Sequence, residues 1–238
     1  MKLSIIIVNY KTKNVLEECI KSIKSTYSYE IVIINNSPEE NLSKLKKIKS
    51  NIRIFNNREN IGFAKACNIG VNKSIGKYVM LLGSDAIILN NSIDKLLKFL
   101  EKNNDYSAVA PQLLNIDKSV QQSLRSFPTL NNIFGRKYKL NILSHLKSQE
   151  ITQPQATCVL IRKEVLDVYG LFDERFPIYF NDVDFFKKLS VNHMKTYYLV
   201  SAKIIHYYGK STKTLGLIKR KYLLYQGYFR YIRKWGVN

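Results

Sequence analysis

The chain has 238 residues, and its 38 Lys and Arg against 18 Asp and Glu give a formal net charge of +20. Hydrophobic residues make up 45% of it, enough to bury one sizeable core and too many for a disordered chain. No apolar run approaches the roughly 20 residues that span a bilayer, which argues against an integral membrane protein. The charge suits nucleic acid, an anionic membrane face or a phosphorylated substrate, and does not choose among them.

The apolar run that follows Met1 and Lys2 is too short for a signal peptide, and no small-residue cleavage site follows it. We therefore interpret it as the buried first strand of a cytoplasmic protein. Cys19, Cys67 and Cys158 each lie in an apolar stretch, which predicts buried thiols in a reducing compartment rather than a disulfide or a zinc site.

Apolar, β-branched runs alternate with stretches of helical length through the first half of the chain. Strands without polar alternation suit a parallel sheet covered on both faces, so the pattern predicts a doubly wound α/β layer with a mostly parallel sheet. The predicted strands are Ser4–Val8, Glu30–Ile34, Ile52–Phe55 and Lys77–Leu82. The predicted helices are about Asn14–Ser25, Glu39–Lys49, Phe63–Lys73 and Ser92–Asn103.

The pattern weakens after Pro111, and the stretch 121–155 is typical of an insertion over a face of the sheet. From Thr157 onward the alternation of predicted strands and helices is clear again. The later predicted elements are a strand Thr157–Ile161, helices Lys163–Tyr169 and Asp182–Val191, strands near Thr196–Val200 and Lys203–His206, and a final helix.

The final segment predicts an amphipathic basic helix. Its apolar residues fall at spacings of 4, 3, 4 and 3, the period of one helix face: Ile218, Tyr222, Tyr225, Phe229 and Ile232. A polar stripe is formed by Lys219, Gln226, Arg230 and Arg233. Such a helix either docks its aromatic face on the core or lies at a membrane surface, and the pattern favours neither.

Polar side chains follow the predicted strands, at the edge where an open parallel sheet binds ligands. No glycine-rich turn follows the first strand, which excludes dinucleotide oxidoreductases and P-loop NTPases. The segments are Asn9–Lys13, Asn35–Ser37, Asn60–Gly70 and Gly83–Ala86. Each has a structural explanation as a turn, a helix cap or close helix packing. Asp85 at such a position can also hold a hard divalent cation against a diphosphate.

Two further polar groups stand out in the second half. Asp182 and Asp184 begin a predicted helix in an aromatic setting. Because side chains at i and i+2 point in different directions, we expect one to face a cleft and the other to cap the helix or pair with a cation. His206 ends a strand and is either structural or a metal ligand.

Taken in order, these patterns resemble family 2 inverting glycosyltransferases, particularly the rhamnosyltransferase-like branch. The resemblance covers roughly residues 3–95 and 155–208. It rests on the first strand through Tyr10, Asn36-Ser37, Asn60-x-Gly62-Phe63-Ala64-x-x-x-Asn68-x-Gly70, Leu81-Leu82-x-x-Asp85, Leu160-Ile161-Arg162-Lys163-Glu164, Gly170-Leu171-Phe172-Asp173-Glu174, Asp182-Val183-Asp184 and His206.

The resemblance implies a GT-A fold, a nucleotide-diphosphate sugar donor and Mg²⁺ or Mn²⁺ as cofactor. It places Asp85 and His206 at the metal and Asp182 as the catalytic base. The residues that it implies for donor nucleotide binding are Val8, Asn9, Tyr10, Asn35, Asn36, Asn60, Gly62, Phe63, Lys65, Asn68, Ser84 and Asp85. Those for the acceptor are Arg125, Thr157, Asn181 and Asp184, and Lys210 lies where it can touch phosphate.

Under this resemblance Asp182 removes the proton of the acceptor hydroxyl as that oxygen attacks C1 of the donor sugar, so the product has the inverted configuration. The sequence departs from the family at two places. Asn35 replaces the family's Asp after the second strand, and its amide oxygen is a weaker acceptor for a pyrimidine N3–H. Gly83-Ser84-Asp85 carries one acid where many relatives carry two or three, which predicts modest metal affinity or a metal that binds together with the nucleotide.

We expect residues 1–213 to form the GT-A domain, with a nucleotide-binding half 1–110 and an acceptor-binding half 111–213, followed by a basic aromatic helix in 214–238. A UDP- or dTDP-linked donor, dTDP-rhamnose among the candidates, and a lipid-linked saccharide acceptor of a bacterial-type surface polysaccharide are expected. Arg125, Phe127 and Arg136 would shape the acceptor site. The charge then fits a cytoplasmic enzyme docked on the inner face of the membrane. Each Lys or Arg near an anionic leaflet adds about 1 kcal/mol of attraction to that surface.

Three other functions compete with this hypothesis. A relative that has lost turnover would bind sugar nucleotides or glycans, although Asp85, Asp182 and His206 argue against it. A nucleotidyltransferase would carry a glycine-rich loop after the first strand. A nucleic-acid-binding module would use the charge and the aromatic residues of the last helix. Because carboxylates in a cleft repel phosphate backbones, we expect no nucleic-acid partner.

Overall fold

The structure is a computed structural model that describes residues 1–129, 140–207 and 216–236, without the side chains of Leu217 and Lys219. Its helices are α1 (Lys13–Ser22), α2 (Phe63–Lys73), α3 (Ser92–Lys102), α4 (Lys163–Tyr169), α5 (Asn181–Val191) and α6 (Leu217–Trp235), with 3₁₀ turns at Ser43–Lys47 and Ile142–His145. Its strands are β1 (Leu3–Asn9), β2 (Tyr29–Asn35), β3 (Ile52–Asn56), β4 (Tyr78–Leu82), β5 (Ala86–Leu89), β6 (Tyr106–Leu114), β7 (Leu124–Arg125), β8 (Gln149–Ile151), β9 (Gln153–Pro154), β10 (Cys158–Arg162) and β11 (Lys195–His206).

The central sheet has the order β3-β2-β1-β4-β10-β6-β11-β5, with β8 also paired to β11. The first four strands are parallel, as are β6 and β11. β10 runs antiparallel between β4 and β6, and β5 and β8 run antiparallel to β11. The parallel part carries the first-half motifs, so their strand ends meet at one edge of the sheet.

Helices cover both faces of this sheet, which confirms the predicted doubly wound layer. α1 and α3 pack on one face, and α2, α4 and α5 pack on the other. The buried strands are rich in Ile, Val and Leu because both of their faces are covered. Cys19, Cys67 and Cys158 are all buried, as predicted, and burial raises the pKa of Cys19 to about 12.

The predicted helix Glu39–Lys49 is wrong, because only the short 3₁₀ turn Ser43–Lys47 forms there. Leu42 and Leu45 are buried, and the surrounding lysines are exposed or half-buried, so the segment has too little apolar surface to hold a longer helix. The two predicted strands at 196–200 and 203–206 are one strand, β11. A register shift between Leu199 and Lys203 explains the apparent break.

The stretch 121–155 supplies three short strands among its described residues. β7 and β9 form a small separate sheet, and β8 extends the main sheet beside β11. Arg136 of this stretch and Lys210 after β11 lie outside the described residues.

The last helix docks on the domain, but not by its predicted face. Tyr228 and Tyr231 are buried, and they pack with Phe176, Phe180 and Val183. The predicted face is exposed at Ile218, Tyr222, Tyr225 and Phe229, and Ile232 alone of that set is half-buried against the domain. The helix carries aromatic residues on more than one face, so periodicity could not choose between them. Within the described part of the chain, no helix is both long enough and apolar enough to cross a membrane.

Candidate active site

Asparagines end three adjacent parallel strands and are linked at the edge of the sheet. Asn9, Asn35 and Asn56 lie opposite one another in the strand register. The Asn9 amide nitrogen donates to Asn35 Oδ1 at 2.8 Å, and the Asn35 amide nitrogen donates to Asn56 Oδ1 at 3.0 Å. Asn9 also donates to Glu40 Oε2 at 2.7 Å. A half-buried carboxylate is therefore held beside the end of β1.

Asn35 itself is turned into this network. Its oxygen accepts from Asn9 and from the Ser37 backbone N–H at 3.1 Å, and the residue is 1% exposed. The acidic group that this network brings to the strand ends is Glu40, which sequence analysis did not select. The sequence signal available for Glu40 was its position as an acid five residues after the end of β2.

Asp85 and His206 form the second polar centre. Asp85 follows β4, and the antiparallel pairing of β11 with β5 places His206 opposite Ala86. His206 Nε2 lies 3.6 Å from Asp85 Oδ1, and the two residues are 6% and 7% exposed. The Tyr207 N–H donates to the Asp85 carbonyl at 3.0 Å, which holds the two segments together.

Gln121 sets the orientation of the imidazole. His206 Nδ1 lies 2.9 Å from Gln121 Oε1, and the Gln121 amide nitrogen donates to Asn115 Oδ1 at 2.9 Å. Because that second bond fixes which end of the amide is oxygen, neutral His206 carries its proton on Nδ1 and directs the lone pair of Nε2 toward Asp85. Sequence analysis missed Gln121, since the contact joins residues 85 positions apart.

This donor set fits a divalent cation. An imidazole nitrogen and a carboxylate oxygen 3.6 Å apart can share one ion at about 2.1–2.2 Å from each. Across residues 1–129, 140–207 and 216–236, no group of three or more His, Cys, Asp or Glu side chains could hold a metal. Asp85 and His206 alone, of the described residues, would therefore give such a cation two protein ligands.

The turn that carries Asp85 leaves little room. A Cβ at Gly83 would lie 3.2 Å from Asp85 Oδ1 and 3.4 Å from the Thr157 methyl group, so glycine lets the carboxylate fold back. The Gly83 N–H donates to the Thr157 carbonyl at 2.7 Å. Ser84 contacts Thr12, whose hydroxyl also reaches Asn9 Oδ1 at 3.0 Å. Thus Thr157 and Ser84 both lie beside Asp85 at this edge of the sheet.

The first turn of α2 is joined to the loop before α5. Phe63 and Ala64 donate their N–H groups to the Pro177 carbonyl at 3.2 and 3.3 Å. Gly62 has φ +87°, a value that favours glycine. Asn60 Oδ1 accepts from the Gly62 N–H at 3.0 Å, and Asn36 donates to the Gly62 carbonyl at 3.3 Å. Asn36 and Asn60 thus hold the entry to α2.

Four residues predicted for the donor have different surroundings. Asn68 clamps the Phe172 backbone, donating to its carbonyl at 2.9 Å and accepting from its N–H at 3.0 Å, so it joins two motif segments instead of facing the strand ends. Val8 packs in an apolar cluster, Tyr10 is half-buried, and Lys65 is exposed.

Asp182 lies in the first turn of α5 and is half-buried. Its Oδ1 accepts from the Val183 N–H at 2.9 Å. Asn181 is 4% exposed, its Oδ1 accepts from the Asp182 N–H at 2.7 Å, and its amide donates to the Ile178 carbonyl at 3.1 Å. Asn181 therefore holds the turn, and Asp182 is the carboxylate of the pair that reaches solvent.

Asp184 does not reach a cleft, which corrects its assignment to the acceptor. It is 0% exposed, and it accepts from Lys234 Nζ at 2.8 Å and from Trp235 Nε1 at 2.8 Å. The spacing of the two acids had allowed one of them to pair with a cation, and Asp184 is that residue.

Arg125 and Gln153 are paired in the small β7–β9 sheet, and β9 packs against α5. Gln153 is 1% exposed, and both polar atoms of its side chain lack a hydrogen-bond partner in the described structure. A buried polar group left unpaired costs about 1–3 kcal/mol. Such a group beside a helix that carries a candidate base is itself a candidate for substrate contact. No sequence signal marked it.

Comparisons with known proteins agree with this geometry. A model of the family described as Glycosyl transferase family 2 matches residues 4–170. An "Uncharacterized glycosyltransferase" of Rickettsia bellii is 33% identical over 57% of this chain and 20% of its own length. The "N-acetylglucosaminyl-diphospho-decaprenol L-rhamnosyltransferase" of Mycobacterium tuberculosis is 26% identical over 68% of this chain and 61% of its own. The chain thus spans between a fifth and about three fifths of these relatives.

The fold is also shared with solved glycosyltransferases. The crystal structure of GalNAc-T7 with UDP, GalNAc and Mn²⁺ superposes with a TM-score of 0.70 at 16% identity, covering 99% of this chain and 48% of that one. This likeness confirms the GT-A fold. Because the family model matches well over half of its residues, the chain belongs to glycosyl transferase family 2.

Proposed function

We propose that the chain is a metal-dependent inverting glycosyltransferase that moves a sugar from a UDP- or dTDP-linked donor to a saccharide acceptor. The observation that carries this proposal is the convergence of Asp85 and His206, 3.6 Å apart, at the edge of the sheet. Two similarities support it: the fold shared with a UDP- and Mn²⁺-bound structure, and a relative named as an L-rhamnosyltransferase.

Asp85 and His206 would hold Mg²⁺ or Mn²⁺, and the bound cation would neutralise charge on the leaving diphosphate. Gln121 would keep the Nε2 lone pair of His206 directed at that position. Because the described residues supply only two protein ligands at this position, the metal would bind together with the nucleotide.

Glu40 would recognise the nucleobase. Its Oε2 is held by Asn9, and its Oε1 has no hydrogen-bond donor among the described residues. A carboxylate oxygen placed beside the end of β1 suits the N3–H of uracil or thymine. In this arrangement Asn35 positions Asn9 and Glu40, so the chain would read a pyrimidine without the family's Asp at position 35.

Asp182 would act as the general base. It lies in the first turn of α5, and its half-buried carboxylate reaches solvent, where an acceptor hydroxyl would approach it. It would take the proton of the acceptor hydroxyl while that oxygen attacks C1 on the face opposite the leaving diphosphate, which inverts the anomeric centre. Gln153 and Arg125 would contact the acceptor from the β7–β9 sheet.

The acceptor would be a lipid-linked saccharide, and the enzyme would work while docked on the inner face of the cell membrane. The relative from Mycobacterium tuberculosis is named for a decaprenol-linked sugar. In the chain itself, the exposed face of α6 supports docking: Ile218 is 86% exposed and Phe229 67% exposed, with the cationic Lys221 on the same helix. An exposed aromatic and basic helix face is typical of an interfacial segment.

Vesicle binding tests the membrane part. The Tyr225→Ser, Phe229→Ser double variant should sediment less than wild type with phosphatidylglycerol vesicles, and added salt should weaken the wild-type interaction. Val168→Ser, which removes an apolar side chain that is 74% exposed on α4, is the control. Equal sedimentation of all three proteins would contradict docking through α6.

The chemical part is tested with Asp182→Asn. Using UDP- and dTDP-sugars as donors and synthetic N-acetylglucosaminyl-diphospho-prenol as acceptor, we expect transfer to fall about 10²- to 10⁴-fold, with UDP affinity unchanged. Asp167→Asn, at an exposed acid on α4, should keep full activity. Full activity of Asp182→Asn would exclude it as the base. If the wild type binds nucleotide but transfers no sugar, the chain would be a sugar-nucleotide-binding relative. If it binds nucleic acid in a salt-sensitive way and binds no nucleotide, it would be a nucleic-acid-binding module.

A further inference from the structure

We infer that helix α6 is a positioning element for the catalytic base: it holds the loop Phe176–Phe180 and the first turn of α5, and so sets where Asp182 lies. The inference rests on the proposed role of Asp182. The docked face of α6 would thus position the active site, whereas the exposed face of the same helix would bind the membrane.

An ionic tie joins the two helices. Asp184, two residues after Asp182, is completely buried and accepts from Lys234 Nζ and from Trp235 Nε1, each at 2.8 Å. A buried carboxylate without such partners would be strongly destabilising, so the first turn of α5 depends on the last turn of α6. Lys234 also donates to Asp173 at 2.9 Å. Burial lowers the pKa of Lys234, but its hydrogen bonds to both carboxylates outweigh burial and raise it, so the lysine stays charged.

A steric contact acts on the residue just before this turn. Phe180 has φ +69°, a strained value for a bulky side chain that persists only where the surroundings enforce it. Tyr228 and Tyr231 lie against its ring, with centroids 6.2 and 5.8 Å away. A Cβ at Gly227 would lie 2.9 Å from Phe180 Cδ2 and 3.2 Å from the Tyr179 carbonyl oxygen. Only glycine therefore lets α6 press against this strained residue.

The other side of the same loop touches the donor half of the domain. The Pro177 carbonyl accepts the Phe63 and Ala64 N–H groups of α2, and a Cβ at Gly62 would lie 3.6 Å from Pro177 Cβ. The loop is thus held between α2 and α6. A displacement imposed by α6 would move Asp182 relative to the donor, and a misplacement of about 1 Å can cost about a hundredfold in rate.

Gly227→Ala tests the steric contact, with Gly216→Ala as the matched control, since a Cβ at Gly216 meets no described heavy atom within 4 Å. In Gly227→Ala we expect kcat to fall about tenfold to a hundredfold while the Kd of UDP with Mn²⁺ stays at the wild-type value. Gly216→Ala should match wild type in both. A kcat for Gly227→Ala equal to that of Gly216→Ala would overturn the inference, as would parallel losses of kcat and UDP binding, which indicate general unfolding.

Milder variants test the ionic tie in case the added methyl group prevents folding. Trp235→Phe removes the N–H donor to Asp184 together with part of the ring, and Lys234→Met removes the cation that Lys234→Arg restores. We expect kcat to fall in Trp235→Phe and Lys234→Met and to recover in Lys234→Arg, with the UDP Kd constant throughout. Unchanged kcat in Trp235→Phe and Lys234→Met would overturn the inference. Full turnover of Asp182→Asn would instead refute the proposed base, while the effect of α6 on turnover would still be measured.

Discussion

Replacement of Glu40 by Gln tests how the chain binds its nucleobase. The Asn9 amide nitrogen donates to Glu40 Oε2 at 2.7 Å. In the Gln variant the side-chain oxygen must stay on that donor, so the new NH₂ group takes the place of Oε1. A uracil N3–H would then meet a second donor, and the whole charge-assisted hydrogen bond would be lost.

The size of the effect follows from that geometry. A hydrogen bond to a charged group contributes about 1.5–3 kcal/mol, which corresponds to about a tenfold to a hundredfold or slightly larger rise in the Kd of UDP. Cytosine N3 carries no proton and accepts a hydrogen bond, so the same variant should bind CDP more tightly than wild type does. Glu40→Gln should therefore invert the preference between UDP and CDP.

Isothermal titration calorimetry of UDP and CDP with Mn²⁺ measures both effects. Glu39→Gln is the matched control, because it removes the same charge from an exposed acid next to Glu40. It should leave both affinities near the wild-type values. An unchanged UDP affinity in Glu40→Gln, or equal losses for UDP and CDP, would refute the role given to Glu40.

Three further predictions follow from other contacts. Gln121→Leu removes the partner of His206 Nδ1 and should weaken Mn²⁺ binding with UDP about tenfold to a hundredfold, as measured by electron paramagnetic resonance; unchanged Mn²⁺ affinity would contradict the orienting role. Gln153→Leu should raise the melting temperature, because it removes an unpaired buried amide, yet should raise the acceptor KM; a lower melting temperature with unchanged KM would contradict it. Acid should loosen α6. Hydrogen bonds from Arg175 and Lys234 hold the pKa of Asp173 far below its ordinary 3.8. The stabilisation from these hydrogen bonds is therefore complete above pH 3.8 and is lost as the pH falls below that value. The fluorescence of Trp235, the single tryptophan, should shift to the red in that range, and a constant emission maximum until global unfolding would count against the tie.

Much of the fold could be predicted because local signals and burial agree. Helices α2 and α4 have the predicted bounds, and the predicted strands in the first half lie within a residue of β1 to β4 at each end. The turn Ser43–Lys47 and the docked face of α6 were not predicted. In both places the choice depends on tertiary packing, since Gly227 and Tyr228 dock only because Phe180 lies opposite them.

Candidate site residues could be picked from the sequence where a polar side chain stands at the end of a strand. Asp85 and His206 are brought together as the resemblance implied. Gln121 and Gln153 were not predictable, because each gains its meaning from strands and loops that meet only in the folded chain. Asp184 was misassigned because its partners Lys234 and Trp235 lie 50 and 51 positions away on α6.

The most direct test of the account is calorimetric binding of UDP, dTDP, GDP and CMP in Mn²⁺ and in EDTA, for wild type and for Asp85→Ala. We predict that wild type binds UDP or dTDP tightly in Mn²⁺ and weakly in EDTA, and that Asp85→Ala binds weakly in both, because the cation held by Asp85 and His206 would link the diphosphate to the sheet. Binding of UDP or dTDP that is equally tight in EDTA, or unchanged by Asp85→Ala, would contradict the metal site on which the proposed chemistry depends.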